Sequence, residues 1–204
     1  MEHSKNKASR IALLGVFTSL AFILGFIESL IPPFTGIPGV KAGFANIVTM
    51  VALYILDHKT SSNSQTNDQT DAISTESKHL HGTDKYFPTA YSLLCALGIS
   101  AVRVLLGGIT YNGMSAAMYG ITGAVFSLLI MFLLGRTRLF SVTAVSIAGG
   151  VAHNAAQLLL AVIMLGNAVL YYLPMLIISG LAAGLIIGLI SAVLIRRLAA
   201  FTLF

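Results

Sequence analysis

Read only for hydrophobic and polar positions, the chain is a series of long apolar stretches separated by short polar ones. Six runs reach or approach the roughly 20 mostly apolar residues that cross a bilayer: Ile11–Ile31, Ala42–Leu56, Thr89–Leu106, Ser115–Leu134, Ser141–Leu165 and Tyr171–Ile195. None alternates with period two, so a closed barrel is excluded. Each run is predicted to be a helix, the form that satisfies its own backbone N–H and C=O groups without water. The second run is short. Before it lies a stretch with Pro32, Pro33 and Pro38 among Gly36 and Gly39. Proline removes a backbone donor and turns the preceding residue away from helix, and glycine accepts almost any geometry. Phe34, Ile37 and Val40 nevertheless keep the stretch apolar. The expectation is a re-entrant lid of Pro32, Pro33, Phe34, Ile37 and Pro38, dipping into a protein-lined cavity between the first two helices. The plainer alternative is a tight apolar hairpin.

The polar interruptions set the topology. With the N-terminus in the cytoplasm, the inner side holds Lys5, Lys7, Arg10, Lys59, Lys78, Lys85, Arg136, Arg138, Arg196 and Arg197; the outer side holds Lys41, and Arg103 lies inside a span. That asymmetry predicts an all-α integral membrane protein in which six transmembrane helices form one bundle, both termini cytoplasmic. The whole of 1–204 reads as a single membrane domain in a bacterial plasma membrane. Its one foreign stretch is Asp57 to Tyr86, rich in Ser, Thr, Asn, Gln and Asp, which predicts a disordered cytoplasmic linker. His79-x-His81 within it has a spacing that could share a metal, but a solvated polar tract is the plainer reading, and no metal site is assigned.

Composition agrees. Of 204 residues, 56% are hydrophobic and 9% charged, against about 25% charged in soluble domains. The net charge of +5 sits at the ends of apolar runs, so it marks orientation and not a nucleic-acid partner. Cys95 stands alone in an apolar run, which excludes a disulfide framework and a thiolate cluster. The first apolar run is too long for a signal-peptide core and is read as a retained span. Membrane lipids are the expected surroundings.

Polar groups inside the spans carry the candidate chemistry, because such groups are costly in lipid and turn inward. Under this topology Glu28, Lys41, Asn46, Arg103 and Asn112 fall toward the outer face, and His153, Asn154 and Gln157 sit from mid-depth outward on the fifth span. The spacing of three and four puts the last three near one another on a helix face. Together these residues predict a polar substrate-binding site in the outer half of the bundle, with Arg103 and Lys41 attracting an anionic group. Phe34, Ile37 and Tyr111 would close over it. Each residue also has a plainer role: an ion pair between Glu28 and Arg103, a hydrogen-bonded core histidine, or interhelical amide bonds. The first span carries a small-residue stripe, Ala8, Ala12, Gly15 and Ser19, and the last span carries Gly180, Gly184 and Gly188. Packing inside the bundle explains either; contact with an external helix is an alternative for the first.

The strings FIESLIPPFTGIPGVKAGFANIVTMVALYIL, ALGISAVRVLLGG, SIAGGVAHNAAQLLLA and YYLPMLIISGLAAGLIIGL resemble the bacterial Gx transporter family, also labelled heptaprenyl diphosphate synthase component I. That family is similar in size and layout to the S components of energy-coupling-factor transporters. The resemblance implies a six-helix protein holding a small molecule near the outer face, under the loop joining its first two helices. It also implies docking through the first helix on a transmembrane coupling subunit driven by paired ATPases. A flavin-like molecule, a quinone or an isoprenoid precursor is the ligand implied. The synthase label implies instead a membrane subunit that anchors or feeds a soluble prenyltransferase. Catalysis of prenyl elongation by this chain itself is not expected, because it has no DDxxD cluster to hold magnesium on a diphosphate. It also lacks a glycine-rich phosphate loop followed by Lys and Ser or Thr, so ATP hydrolysis is not expected either. No cofactor and no catalytic residue is assigned.

Overall fold

A computed structural model describes residues 2–30, 43, 45–62, 88–137 and 139–202, with side chains described from 11 to 56 and from 88 to 197 within those limits. Every regular element among them is helical: α1 (Glu2–Ser29), α2 (Asn46–Ser62), α3 (Ala90–Gly107), α4 (Gly113–Arg136), α5 (Val142–Leu165) and α6 (Leu173–Thr202). A π-helical turn, Gly108–Asn112, joins α3 to α4, and a 3₁₀ turn, Asn167–Tyr172, joins α5 to α6.

The helix starts follow local chemistry. Thr89 opens α3 with a capping box: its hydroxyl accepts from the Ser92 N–H, and Ser92 Oγ accepts from the Thr89 N–H. Ser141 Oγ accepts from the Ala144 N–H at the start of α5. Gly113, with φ +81°, ends the π-helical turn and folds the chain back. A Cβ on Gly108 would meet the Ala117 Cβ at 2.6 Å, and one on Gly120 would meet Val104 Cγ1 at 3.0 Å. Those pairs keep one antiparallel register, so Ala90–Arg136 is a close helical hairpin.

Among the described residues, four stretches are long and apolar enough to cross a membrane: Ile11–Ser29, Ala90–Arg136, Val142–Leu165 and Asn167–Arg197. Large apolar side chains remain exposed along them, among them Ile11, Leu94, Ile109, Leu133, Ile163 and Ile178, as a lipid-facing surface requires. These features make the chain a multi-pass membrane protein. The apolar part of α2, Asn46–Leu56, is shorter, spanning about 16 Å at 1.5 Å per residue. The helix itself continues to Ser62, into the start of the stretch read from sequence as linker.

α2 is the centre of the molecule. Its residues from Ala45 to Leu56 are buried on every side, apart from partial exposure at Ile47 and Ile55. A helix apolar all round belongs in a core. Val48, Val51, Leu53 and Tyr54 join Phe17, Ile99, Leu128, Met131, Val145 and Ile195 in one cluster drawn from all six helices. α5 is clasped between α4 and α6. On one side a Cβ at Gly149 would meet Met131 Cγ at 2.5 Å. On the other, a Cβ at Gly150 would meet the Gly180 carbonyl oxygen at 2.5 Å, and one at Gly184 would meet Ile147 Cα at 2.7 Å. The glycine stripe of α6 is therefore an internal seam against α5. α1 is peripheral, with 22% of Ile11–Ser29 buried against 39% for each of the other three stretches.

Candidate functional site

At the end of the bundle where α1 finishes and α2 begins, the helices part around a small cavity of about 50 Å³. α1 contributes Gly25 and Glu28, and the turn into α2 contributes Gly43 and Asn46. α3 and the π-helical turn contribute Arg103, Gly107, Tyr111 and Asn112; α5 contributes His153 and Gln157. The remaining wall, Val104, Ala116, Ala117 and Gly120, is small and apolar.

Glu28 is 6% exposed and accepts a hydrogen bond from the Gly43 backbone N–H. Gly43 can aim that N–H because it sits at φ +84°, which L side chains rarely adopt. The Gly43 carbonyl then accepts from Asn46 N at 2.8 Å, so one turn fixes both the carboxylate of α1 and the first residue of α2. The carboxylate and the Arg103 guanidinium act on each other electrostatically across this space. Arg103 is 8% exposed, and its buried Nε has no hydrogen-bond partner among the described residues.

His153 stands at the floor between two amides. Its Nδ1 lies 3.5 Å from Asn46 Nδ2, and its Nε2 lies 3.1 Å from Gln157 Nε2. The ring lies flat against Gly123 of α4, where a Cβ would meet Cε1 at 2.7 Å. Gln157 is 1% exposed, and its Oε1 has no partner among the described residues. Tyr111 closes the side toward α1: its hydroxyl donates to the Phe22 carbonyl at 3.5 Å, and its ring packs on Phe22 and edge-on to Phe26, with centroids 5.6 and 5.4 Å away.

Of the residues singled out from sequence, the structure brings Glu28, Asn46, Arg103, Asn112, His153 and Gln157 to one cavity. Asn154 is not among them. Its Nδ2 donates to the Leu176 carbonyl at 2.9 Å and to Ser179 Oγ at 3.0 Å, so it ties α5 to α6 on the far side of the helix. Lys41 and the lid residues Pro32, Pro33, Phe34, Ile37 and Pro38 lie outside the described residues. Ala12, Gly15 and Ser19 are exposed on α1, and Ala8 lies on the same helix. Among the described residues, no helix meets the stripe at Gly15, where a Cβ would find nothing within 4 Å. The contribution of α4 is absent from the sequence reading: Gly120 lines the cavity and Gly123 leaves room for the His153 ring, and two glycines three apart in an apolar run were the available signal. Among the described residues, no group of three His, Cys, Asp or Glu side chains could hold a metal ion.

Comparison with known proteins gives one match. The family model described as heptaprenyl diphosphate synthase component I matches residues 17–63 and 88–194, which include every described residue of the cavity wall. No curated protein and no solved structure matches the chain.

Proposed function

Since the chain belongs to the heptaprenyl diphosphate synthase component I family, we propose that it is the membrane-embedded subunit that captures a small molecule for uptake, in the manner of an S component. The observation that carries this reading is Arg103: a guanidinium held in a membrane bundle, facing a cavity, with its Nε unmatched by any described residue. An unmet buried donor costs about 1–3 kcal/mol, more when charged. A fold that carries such a cost beside three amides, an imidazole and a carboxylate has the composition of a binding site. Arg103 would take an anionic group of the ligand, with Lys41 assisting from the loop; Asn46, Asn112 and Gln157 would orient it. The segment of Pro32, Pro33, Phe34, Ile37 and Pro38 would be the lid.

In this proposal α2 is a sixth span and both termini face the cytoplasm of a bacterial cell, so the cavity opens outward. The exposed Ala12, Gly15 and Ser19 of α1, with Ala8, would face a transmembrane coupling subunit served by ATPases. The family's description favours a second reading, in which the chain is a non-catalytic membrane component working with a soluble prenyltransferase in isoprenoid-quinone synthesis.

Native mass spectrometry of gently extracted protein separates the two. Binding predicts a small molecule released from the wild type and missing from Arg103→Ala, with both proteins equally abundant in the membrane. An unchanged ligand in Arg103→Ala would remove the role given to that side chain. Co-release of a prenyltransferase would favour the second reading; co-release of a coupling subunit and ATPases would favour the first.

A further inference from the structure

The cavity taken above as the binding site has room, at about 50 Å³, for a few water molecules. Pockets that enclose a small molecule run to about 300–1,000 Å³. For the binding reading to hold, a wall has to give, and the described walls differ in how far they can. The wall between α3 and α4 is locked, because Gly108 packs on Ala117 and Gly120 on Val104. The floor is locked too: the His153 ring lies on Gly123, and Gly150 of the same helix lies against Gly180. α1 is the least buried of the spanning stretches, at 22% of Ile11–Ser29. Tyr111 stands between it and the cavity.

The Tyr111 hydroxyl occupies space that a side chain on either of two helices would need. A Cβ at Gly25 of α1 would meet it at 3.0 Å, and one at Gly107 of α3 at 2.9 Å. Two glycines thus form a slot that admits the tip of the phenol. On the α1 side the hydroxyl reaches the Phe22 carbonyl at 3.5 Å, a long contact, and on the cavity side it acts electrostatically with Arg103 and Glu28. The ring is half-buried and its neighbour Phe26 is 45% exposed, so it has an open flank toward the lipid-facing surface. The backbone that carries it is the π-helical turn Gly108–Asn112, followed by Gly113 at φ +81°. Such irregular turns recur at functional sites. We propose that Tyr111 is a side gate of the cavity: its phenol leaves the slot between Gly25 and Gly107 to admit a molecule larger than the present space.

The test reads access to the cavity wall in the full-length protein in detergent. Cys95→Ala removes the native thiol, and Ala117→Cys, at a buried position of the wall, supplies a reporter. Ala116→Cys replaces it if that variant does not fold. Alkylation by iodoacetamide is followed by intact mass, its rate reporting the open population. Tyr111→Ala should raise the rate at least about tenfold over the reporter protein with Tyr111 intact, the closed state having lost its closing group. Gly25→Ala keeps the ring but crowds its hydroxyl, and should also raise the rate. Adding Tyr111→Phe to Gly25→Ala deletes the crowded atom and should bring the rate back down. That pair still decides if Tyr111→Ala fails to fold. An unchanged rate in either single variant, or a fast Gly25→Ala that Tyr111→Phe does not slow, would overturn the gate. The labelling uses no ligand, so its failure is distinct from failure of the mass-spectrometric test of binding.

Discussion

Gly123→Ala is the perturbation most directly calculable from the coordinates. The added Cβ would lie 2.7 Å from Cε1, 2.8 Å from Nδ1 and 2.9 Å from Nε2 of His153. Ordinary contact begins at 3.4 Å, so the ring must retreat by roughly 0.7 Å or α4 must move away from α5. The ring is 5% exposed and flanked by Asn46 and Gln157, so its retreat has a cost. Overpacking of this kind costs about 1–3 kcal/mol, offset by about 0.5–1 kcal/mol from replacing a helical glycine by alanine. The net expectation is a loss of about 1 kcal/mol, visible as a melting temperature lower by a few degrees in detergent. The larger effect is on binding. A ring displaced by that amount along its own normal tilts the 3.1 Å contact to Gln157 out of the ring plane and weakens its hold on the amide. Retention of the co-purified ligand, measured by native mass spectrometry, should fall at least about tenfold, equivalent to about 1.4 kcal/mol. A variant that melts as the wild type does and keeps its full complement of ligand would show that the contact between α4 and His153 neither strains the ring nor governs the cavity.

Two further substitutions separate packing from binding. Gly150→Ala would push a Cβ to 2.5 Å from the Gly180 carbonyl oxygen and 3.1 Å from Gly184 Cα, both backbone atoms, and should destabilise by about 1–3 kcal/mol; Gly15→Ala meets nothing and should be neutral or slightly stabilising. Equal melting temperatures for the pair in detergent would contradict the close α5–α6 seam. Asn154→Leu removes the bonds to Leu176 and Ser179 and should cost about 0.6–1.7 kcal/mol in unfolding experiments while leaving ligand occupancy unchanged. Loss of ligand without loss of stability would return Asn154 to the binding site.

The helices were legible because lipid imposes long apolar runs, and the cavity residues because ionisable and amide groups inside such runs must turn inward. Glu28, Arg103 and His153 stood out on that ground alone. Asn154 satisfied the same rule and turned inward toward α6, since the rule says inward and not toward which neighbour. Residues 153 and 154 differ by about 100° around a helix, enough for one to face the cavity and the other α6. Gly123 was invisible for the opposite reason: its role is the space it leaves for an imidazole, and empty space carries no chemistry in a sequence. The length of the second run was read correctly as short, but its place at the centre of the bundle depends on contacts with α3 and α6 that no local pattern encodes.

The enclosure of α2 has a consequence for how the protein is made. The ribosome delivers α2 second, yet its neighbours in the mature bundle include α6, the last helix described. With an apolar part of only Asn46–Leu56, it gains too little from lipid to hold its depth before the later helices arrive. Assembly at the translocon is thus committed only once α6 has followed, and chains interrupted after α3 or α4 should be degraded by membrane proteases.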